Sequence, residues 1–388
     1  MLFGELIASW KGFLEFRKLA AEKRQIVFYS EGASYHKFLW PVMERLTTDF
    51  HLDICYVTSD KHDPLLTSNS NQIKTFYISA RTALITFFEA VDADILVLST
   101  PDLGNMHVRR SQRPVHYAYI HHSMVSSHMI YRTGAFDNFD SILCVGPHQI
   151  EETRQWEKEY RLKPKQLFEH GYAPLDDILA NKPDNYTPPV SPTDTKVIIA
   201  PSWGPQGLLE TVGEQVVENL MKAGYKVIVR PHPRTRQFNP KKINSIAKRF
   251  GNSTAFSMEE SITGFAGYLA SDILISDWSG AALEFAFGLE RPVLFIDLPP
   301  KVNNPEYERI KATPLEIFIR NKIGVVIDPN SLEKISEFVE NAVKNYSSFI
   351  PSIREARAEW IFNVGNSTEK GAQIIFDLHR NMSKSSIL

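Results

Sequence analysis

The feature that most constrains this chain is an alternation of short apolar runs with longer helix-compatible stretches, which occurs twice and is broken once. In the first half the runs are QIVFYS (25–30), LDICYVT (52–58), IKTFYIS (73–79), DILVLST (94–100), VHYAYIHH (115–122) and SILCVG (141–146). Segments 36–46, 81–91 and 147–160 between them can hold helices. Such alternation predicts a parallel sheet covered by helices. From 182 to 195 the sequence becomes KPDNYTPPVSPTDT, with four prolines and no apolar periodicity, and reads as a linker.

The pattern then restarts with KVIIAPS (196–202), KVIVRPH (226–232), TAFS (254–257), DILISD (272–277), PVLFIDL (292–298) and GVVID (324–328). Helices are expected near 207–223, 239–249, 258–270, 279–288 and 331–345, and a last helical region at 352–382 has no strand after it. The expected organisation is α/β: one domain over 1–183, a linker over 184–195, a second domain over 196–350, and a return of 351–388 to the first. A cleft lies between the two domains. At 388 residues the length suits two domains.

Lys+Arg 43 against Asp+Glu 45 leaves a formal charge of −2, which gives no bulk attraction to nucleic acid. Any anion site must be local. Cys55 and Cys144 both lie in strand-like runs, so neither a disulfide framework nor a metal knuckle is expected, in keeping with a reducing cytoplasmic compartment. No segment reaches the roughly 18 apolar residues that span a bilayer. Residues 1–24 carry Phe3, Leu6, Ile7, Trp10 and Leu14 at helical spacing. That stretch either packs on the body of the protein or lies on a membrane face with Lys11, Arg17, Lys18, Lys23 and Arg24 toward headgroups.

In open parallel sheets ligands bind beyond the carboxyl ends of the strands. Three such ends in the second half have anion-binding chemistry. The loop Pro201-Ser202-Trp203-Gly204-Pro205-Gln206-Gly207 brings glycines that let backbone N–H groups approach an anion. In Arg230-Pro231-His232-Pro233-Arg234 the prolines stop the sheet ladder and hold an imidazole between two guanidiniums. The run Ser276-Asp277-Trp278-Ser279-Gly280-Ala281-Ala282-Leu283-Glu284 ends a buried strand and starts a helix at Ser279. Serine caps helices well, and the small residues after it leave the first N–H groups accessible to a phosphate. Glu284, one turn in, is placed to accept ribose hydroxyls or else is a solvated helix carboxylate.

Histidine crowds the region between His107 and His170, with His116, His121, His122, His128 and His148 between them. No helix carries a metal-binding histidine pair with a carboxylate partner, and no CxxC lies near, so metal is not expected. His121 and His122 follow VHYAYI at another strand's carboxyl end, where a histidine facing the cleft can act as a base. Arg109, Arg110 and Arg113, just before that strand, either meet an anionic acceptor or form solvated surface.

In order, the segments YIHHSMVS, FDNFDSILCVGPHQIEE, EHGYAPLD, VIIAPSW, VIVRPHPR and DILISDWSGAALEFAFGLERPVLF resemble the CDP-glycerol glycerophosphotransferase family, which includes teichoic acid polymerases and primases. The resemblance spans roughly 90–300 and is most specific in the last two segments. It implies a GT-B fold of two Rossmann-like domains, with the acceptor on the first and a CDP-linked donor on the second. It also implies that His232 and the turn Ser276–Ala281 hold the diphosphate, with Glu284 near the ribose. The family's histidine-glycine pair matches His122 followed by Ser123, or His121 followed by His122, and the small Ser123 favours His122 as the base.

On this reading an acceptor hydroxyl of a glycan or lipid-linked molecule attacks the phosphorus carrying a polyol, and CMP leaves. Ser202, Gly204, Arg230, Arg234, Asp277, Ser279, Gly280 and Ala281 complete the donor side. No cofactor is fixed by this reading; Mg2+ is compatible with the chemistry, and Asp277 is the carboxylate to watch. Phosphoryl transfer depends mainly on positioning and electrostatics, which such a site supplies. The alternatives are a sugar transferase or epimerase of the same fold, and a non-catalytic relative that binds surface polymers.

Overall fold

The first apolar series forms a wholly parallel sheet: β1 (Ile26–Ser30), β2 (Ile54–Thr58), β3 (Ile73–Tyr77), β4 (Ile95–Leu98), β5 (His116–Ile120), β6 (Ser141–Cys144) and β7 (Gln166–Glu169). Their order is β3-β2-β1-β4-β5-β6-β7. The second series gives β8 (Lys196–Ile199), β9 (Lys226–Val229), β10 (Phe256–Met258), β11 (Ile273–Ser276), β12 (Val293–Ile296) and β13 (Gly324–Ile327), in the order β10-β9-β8-β11-β12-β13. The structure, a computed structural model, describes residues 3–385 apart from 69, 80, 106 and 261–263.

In both sheets the strand order reverses direction beside the first strand, between β1 and β4 and between β8 and β11. That reversal opens a crevice at the carboxyl edge. Central strands such as β1, β4 and β11 are buried along their whole length, which is why they read as continuous apolar runs. Strand β7 was not expected. It is an edge strand whose residues are half-buried or exposed, so QLFE carries no such run.

The two domains share one apolar core. Phe38, Val125, Tyr172, Leu175 and Ile178 of the first pack with Phe265, Tyr268, Leu283, Phe285 and Phe287 of the second. At its centre is the helix Gly280–Leu289, buried from Ala282 onward and therefore apolar all round except at Glu284. It lies so close to the helix Ala173–Asn181 that a Cβ on Gly288 would fall 2.3 Å from Ile178 Cγ2, so only glycine fits. The helix ends at Glu290, which is in the left-handed conformation and holds Arg354 (2.7 Å), Arg357 (2.9 Å) and Lys182 (3.4 Å). Burial alone would raise the Glu290 pKa, but these cations outweigh it and bring it to about 2.

The last region breaks in two. The helix Tyr346–Trp360 packs on the second domain through Ile353 and Ala356. Phe362 N–H then bonds to the Val145 carbonyl, and the helix Ser367–Ser385 puts Ala372, Ile374, Ile375 and Leu378 into the core of the first sheet. Asp176 caps its start, accepting from the N–H groups of Gly365 and Thr368 and from both hydroxyls of Ser367 and Thr368.

Three expected helices differ. The stretch 207–223 is split into Leu208–Thr211 and Gly213–Lys222. Of 258–270 only Ala266–Leu269 is helical, and 261–263 lie outside the described residues. The first helix, Phe3–Lys18, does pack on the body, but through Ser9, Gly12, Phe13 and Phe16. Leu6 and Trp10 are half-buried at its margin, while Phe3, Ile7 and Leu14 are 78%, 54% and 55% exposed. Close approach rotates the face: a Cβ on Gly12 would lie 2.3 Å from the Tyr77 carbonyl oxygen. Among the described residues no helix is long and apolar enough to cross a membrane.

Candidate active site

The carboxyl edges of the two sheets face each other across a cleft of about 610 Å³. Its second-domain wall is built from the loops after β8, β9, β11 and β12, and its first-domain wall from those after β1, β4 and β5.

On the second-domain wall, Ser202, Trp203, Arg230, His232, Arg234, Ser279, Gly280, Ala281 and Glu284 all line the cleft. His232 sits at the start of the short helix Pro233–Phe238, where its Nδ1 accepts the Arg234 N–H at 3.1 Å. A ring nitrogen that accepts is unprotonated, so Nε2 carries the hydrogen and can donate it. Burial, then Lys301 and Arg234, push the His232 pKa well below its ordinary value, so the ring is neutral at pH 7. Ser279 caps the helix Gly280–Leu289 by accepting the Ala281 N–H, which aims the positive end of the helix dipole into the cleft.

The remaining expected donor residues play different parts. Ser276 and Asp277 are fully buried behind the wall. The Ser276 hydroxyl donates to the Ala200 carbonyl, and the Asp277 carboxylate accepts from the N–H groups of Ser202 (2.6 Å) and Leu208 (2.9 Å). They position the loop after β8 and are not among the residues that line the cleft. Asp277, 1% exposed and turned to two backbone N–H groups behind the wall, does not line the cleft where a magnesium ion would meet the donor phosphates; among the described residues no group of three or more His, Cys, Asp or Glu could hold a metal ion. Gly204, with φ +125° and open space around it, shapes the turn without lining the cleft.

Arg230 reaches the wall already paired, 2.8 Å from Glu259 and 4.7 Å over the Tyr268 ring. Glu284 is only 6% exposed and accepts from Tyr172 (2.6 Å), Lys37 (3.1 Å) and Tyr268 (3.1 Å). Tyr172 and Lys37 belong to the first domain, so this carboxylate clasps the domains together rather than standing free beside a ribose. Burial raises its pKa, but Lys37 and Tyr172 lower it further, and the net shift is down.

On the first-domain wall His107 and His122 both line the cleft, and of the two expected bases, His121 and His122, only His122 does. Its Nδ1 lies 2.8 Å from the Ser99 carbonyl, which can only accept, so Nδ1–H donates and Nε2 keeps its lone pair. The Tyr131 hydroxyl lies 3.1 Å from that Nε2. Burial is the first cause that lowers the His122 pKa, to about 4, and Arg234 and Lys37 add to it. His121, the other candidate, is a correction. Successive residues of an extended chain point to opposite faces, and its ring is buried against Tyr119 and Phe136 with no partner for either nitrogen.

The three acceptor-side arginines are a second correction. Arg109 pairs with Glu89, Arg110 with Asp140 over the Tyr117 ring, and Arg113 with Asp92. None lines the cleft. The β4–β5 connection lines the cleft as far as Val108 and then runs back to the amino edge where β5 begins, and there Arg110 and Arg113 meet Asp140 and Asp92, which precede β6 and β4. Three more of the crowded histidines are structural: His148 bonds the Met124 carbonyl, His128 pairs with Glu152, and His116 bonds Ser141.

Sequence reasoning missed Glu31, Lys37, Asp102, Tyr131, Arg132 and Lys301, all on the cleft walls. The signal is present, since Glu31, Asp102 and Lys301 follow β1, β4 and β12 at their carboxyl ends, but no anion-binding motif marks those loops as it does the ones after β8, β9 and β11. Together the walls set cations, one imidazole N–H and a helix start against a neutral imidazole whose Nε2 lone pair accepts the Tyr131 hydroxyl.

Comparison with known proteins gives the family and the fold. The model of the family described as CDP-Glycerol:Poly(glycerophosphate) glycerophosphotransferase matches residues 13–299. Among solved structures, the wall teichoic acid polymerase TagF, solved after a soak with CDPG, superposes with a TM-score of 0.58 at 12% identity, covering 99% of this chain and 95% of that one. A putative UDP-N-acetylglucosamine 2-epimerase from Listeria monocytogenes gives 0.56 at 12% identity, covering 92% and 95%. The UDP-GlcNAc 2-epimerase of Methanocaldococcus jannaschii gives 0.52 at 13%, covering 91% and 98%. These likenesses show the fold: two Rossmann-like domains in the GT-B arrangement. No curated protein matches the chain by sequence.

Proposed function

The chain belongs to the CDP-glycerol glycerophosphotransferase family, and on that premise we propose that it moves glycerol phosphate, or another polyol phosphate, from a CDP-linked donor to a hydroxyl of a glycan or lipid-linked acceptor, releasing CMP. One observation carries the reading. The imidazole N–H of His232, the helix start at Gly280 and the lone pair of His122 all meet in a single cleft.

The acceptor oxygen forms a bond to the phosphorus bearing the polyol as the bond from that phosphorus to the CMP oxygen breaks, and CMP leaves with the electron pair. His122 Nε2 takes the hydroxyl proton, directly or through the Tyr131 hydroxyl beside it. The His232 Nε2–H, Arg234 and the N–H groups at Ser279–Ala281 stabilise charge on the transferring and leaving phosphates. Arrival of the diphosphate offsets the Arg234 and Lys37 charges that hold the His122 pKa down, so the base strengthens when the donor binds.

A peripheral membrane contact belongs to the same proposal. Phe3, Ile7 and Leu14 are exposed on a helix whose Lys11 is 75% exposed and whose last turn carries Arg17 and Lys18. Apolar residues flanked by cations suit an anionic lipid surface.

The direct test incubates the protein with CDP-glycerol or UDP-sugars and a saccharide-lipid acceptor, and scores the nucleotide released. CMP from CDP-glycerol supports the proposal. UDP from a UDP-sugar instead supports sugar transfer, and neither supports a binding role.

A further inference from the structure

We infer that Lys301 binds the donor diphosphate from a strap that joins the two domains, and that it takes up a proton as it does so. This rests on the donor reading above. Nothing in the motifs points to Lys301. It follows β12 by way of Pro299 and Pro300, whose rings restrict the backbone leading to it.

The strap is held at both ends. At its root the Trp278 Nε1–H donates to the Leu298 carbonyl at 2.8 Å. Beyond Lys301, the N–H groups of Asn303 and Asn304 both donate to the Met129 carbonyl of the first domain, at 3.1 and 3.2 Å. Asn304, which is 1% exposed, also donates through Nδ2 to the His128 carbonyl at 2.9 Å. The segment so gripped, 128–131, carries the tyrosine that bonds His122. A lysine on this strap is therefore fixed between the two walls.

Its Nζ lies 4.2 Å from the centre of the Trp203 ring, and the Arg234 guanidinium lies 5.1 Å from the same centre. The His232 ring lies tilted against the same indole, at 6.1 Å. Two cations converging on one indole repel each other, and a diphosphate between them replaces that repulsion with attraction. The charged groups around Lys301 are Arg234 and His232 after β9, Asp277 after β11, and Glu210 on the helix Leu208–Thr211. Burial first, and Arg234 next against the pull of Asp277 and Glu210, bring the Lys301 pKa down to about 7. Near pH 8 the amine is thus mostly neutral without donor, and a bound diphosphate restores its charge.

The test is calorimetry of CDP-glycerol binding to the full chain at pH 8 in buffers of different ionisation enthalpy, with the wild type, Lys301→Met and Lys301→Arg. CDP-glycerol is chosen because its diphosphate has no secondary phosphate ionisation in this range. The wild type should take up close to one proton, and its Kd should weaken toward tenfold per pH unit above 7. Lys301→Arg should bind without that uptake, and Lys301→Met should bind at least tenfold more weakly with its melting temperature kept. Unchanged affinity in Lys301→Met, or unchanged proton uptake in Lys301→Arg, overturns the inference while leaving the donor reading standing. A wild type that binds no CDP-glycerol overturns both.

Discussion

Gly280 and Ser123 meet across the cleft: a Cβ on Gly280 would lie 3.0 Å from Ser123 Oγ and 3.7 Å from Val125 Cγ1. One begins the anion-binding helix of the second domain, and the other directly follows His122 in the first. The donor cradle and the base are therefore neighbours. A branched side chain at Gly280 must displace the Ser123 loop and fill the mouth of the helix start. Gly280→Val is expected to lower kcat/KM by about 100-fold or more while changing the melting temperature little, and steady-state kinetics with thermal unfolding checks both.

His122 gives a pH signature. Its pKa of about 4 in the free protein means that it remains an unprotonated base well below the usual histidine range. The acid limb of kcat/KM should fall toward pH 4 rather than near 6.5. His122→Ala should lose turnover by about 10²- to 10⁴-fold with CDP-glycerol affinity retained. A limb at pH 6.5 that persists in otherwise active protein would contradict the assignment.

Stability also depends on pH, with opposite signs at different sites. His122 and His170 both have pKa values depressed to about 4, chiefly by burial. The unfolded chain binds more protons between about pH 6.5 and 4, so their contribution is fully present above pH 6.5 and is lost as pH falls through that window. Glu316 is the reverse case. Burial raises its pKa to about 7 even though it accepts the Ser126 N–H at 3.0 Å. Its contribution is complete below about pH 4.5 and is lost as pH rises through 7. Glu316→Gln should therefore raise the melting temperature more at pH 8 than at pH 5, by up to roughly 3 kcal/mol in stability.

The Glu284 clasp predicts a cost for removing one partner. Lys37 has a side chain only 16% exposed, and Glu284→Ala leaves that ammonium without its carboxylate. Loss of one partner of a buried pair costs on the order of 3–5 kcal/mol. Denaturant unfolding should show a loss of that order in Glu284→Ala and a smaller one in Glu284→Gln, which keeps an acceptor for Tyr172.

The membrane proposal separates cleanly from the chemistry. Phe3→Ser, Ile7→Ser and Leu14→Ser together should abolish co-sedimentation with vesicles containing anionic phospholipid. Because these side chains are exposed, the melting temperature should stay within a few degrees.

Much of this was legible in the sequence, and the exceptions have physical causes. Strands buried on both faces announced themselves as apolar runs, whereas β7, half-solvated at an edge, did not. The helix at Gly280 was readable from its serine cap and small residues. What Ser276, Asp277 and Glu284 do was not, because residue type shows that a group can bind and not that its oxygens are already taken. Asp277 is committed to two backbone N–H groups and Glu284 to three side chains. The choice between His121 and His122 turned on which of two consecutive side chains faces the cleft. For Arg109, Arg110 and Arg113 the sequence left acceptor contact and solvated surface open, because it does not show where along the β4–β5 connection the chain leaves the cleft; they lie off it, paired with Glu89, Asp140 and Asp92.

The central claim is that His232 and the helix start at Gly280 hold the diphosphate of a CDP-linked donor opposite His122. Titration of CDP-glycerol into wild type, His232→Ala and His122→Ala, each shown to be folded, tests it most directly. The account predicts that wild type and His122→Ala bind with similar Kd and that His232→Ala binds at least tenfold more weakly. A folded His232→Ala that binds CDP-glycerol as tightly as the wild type would contradict it.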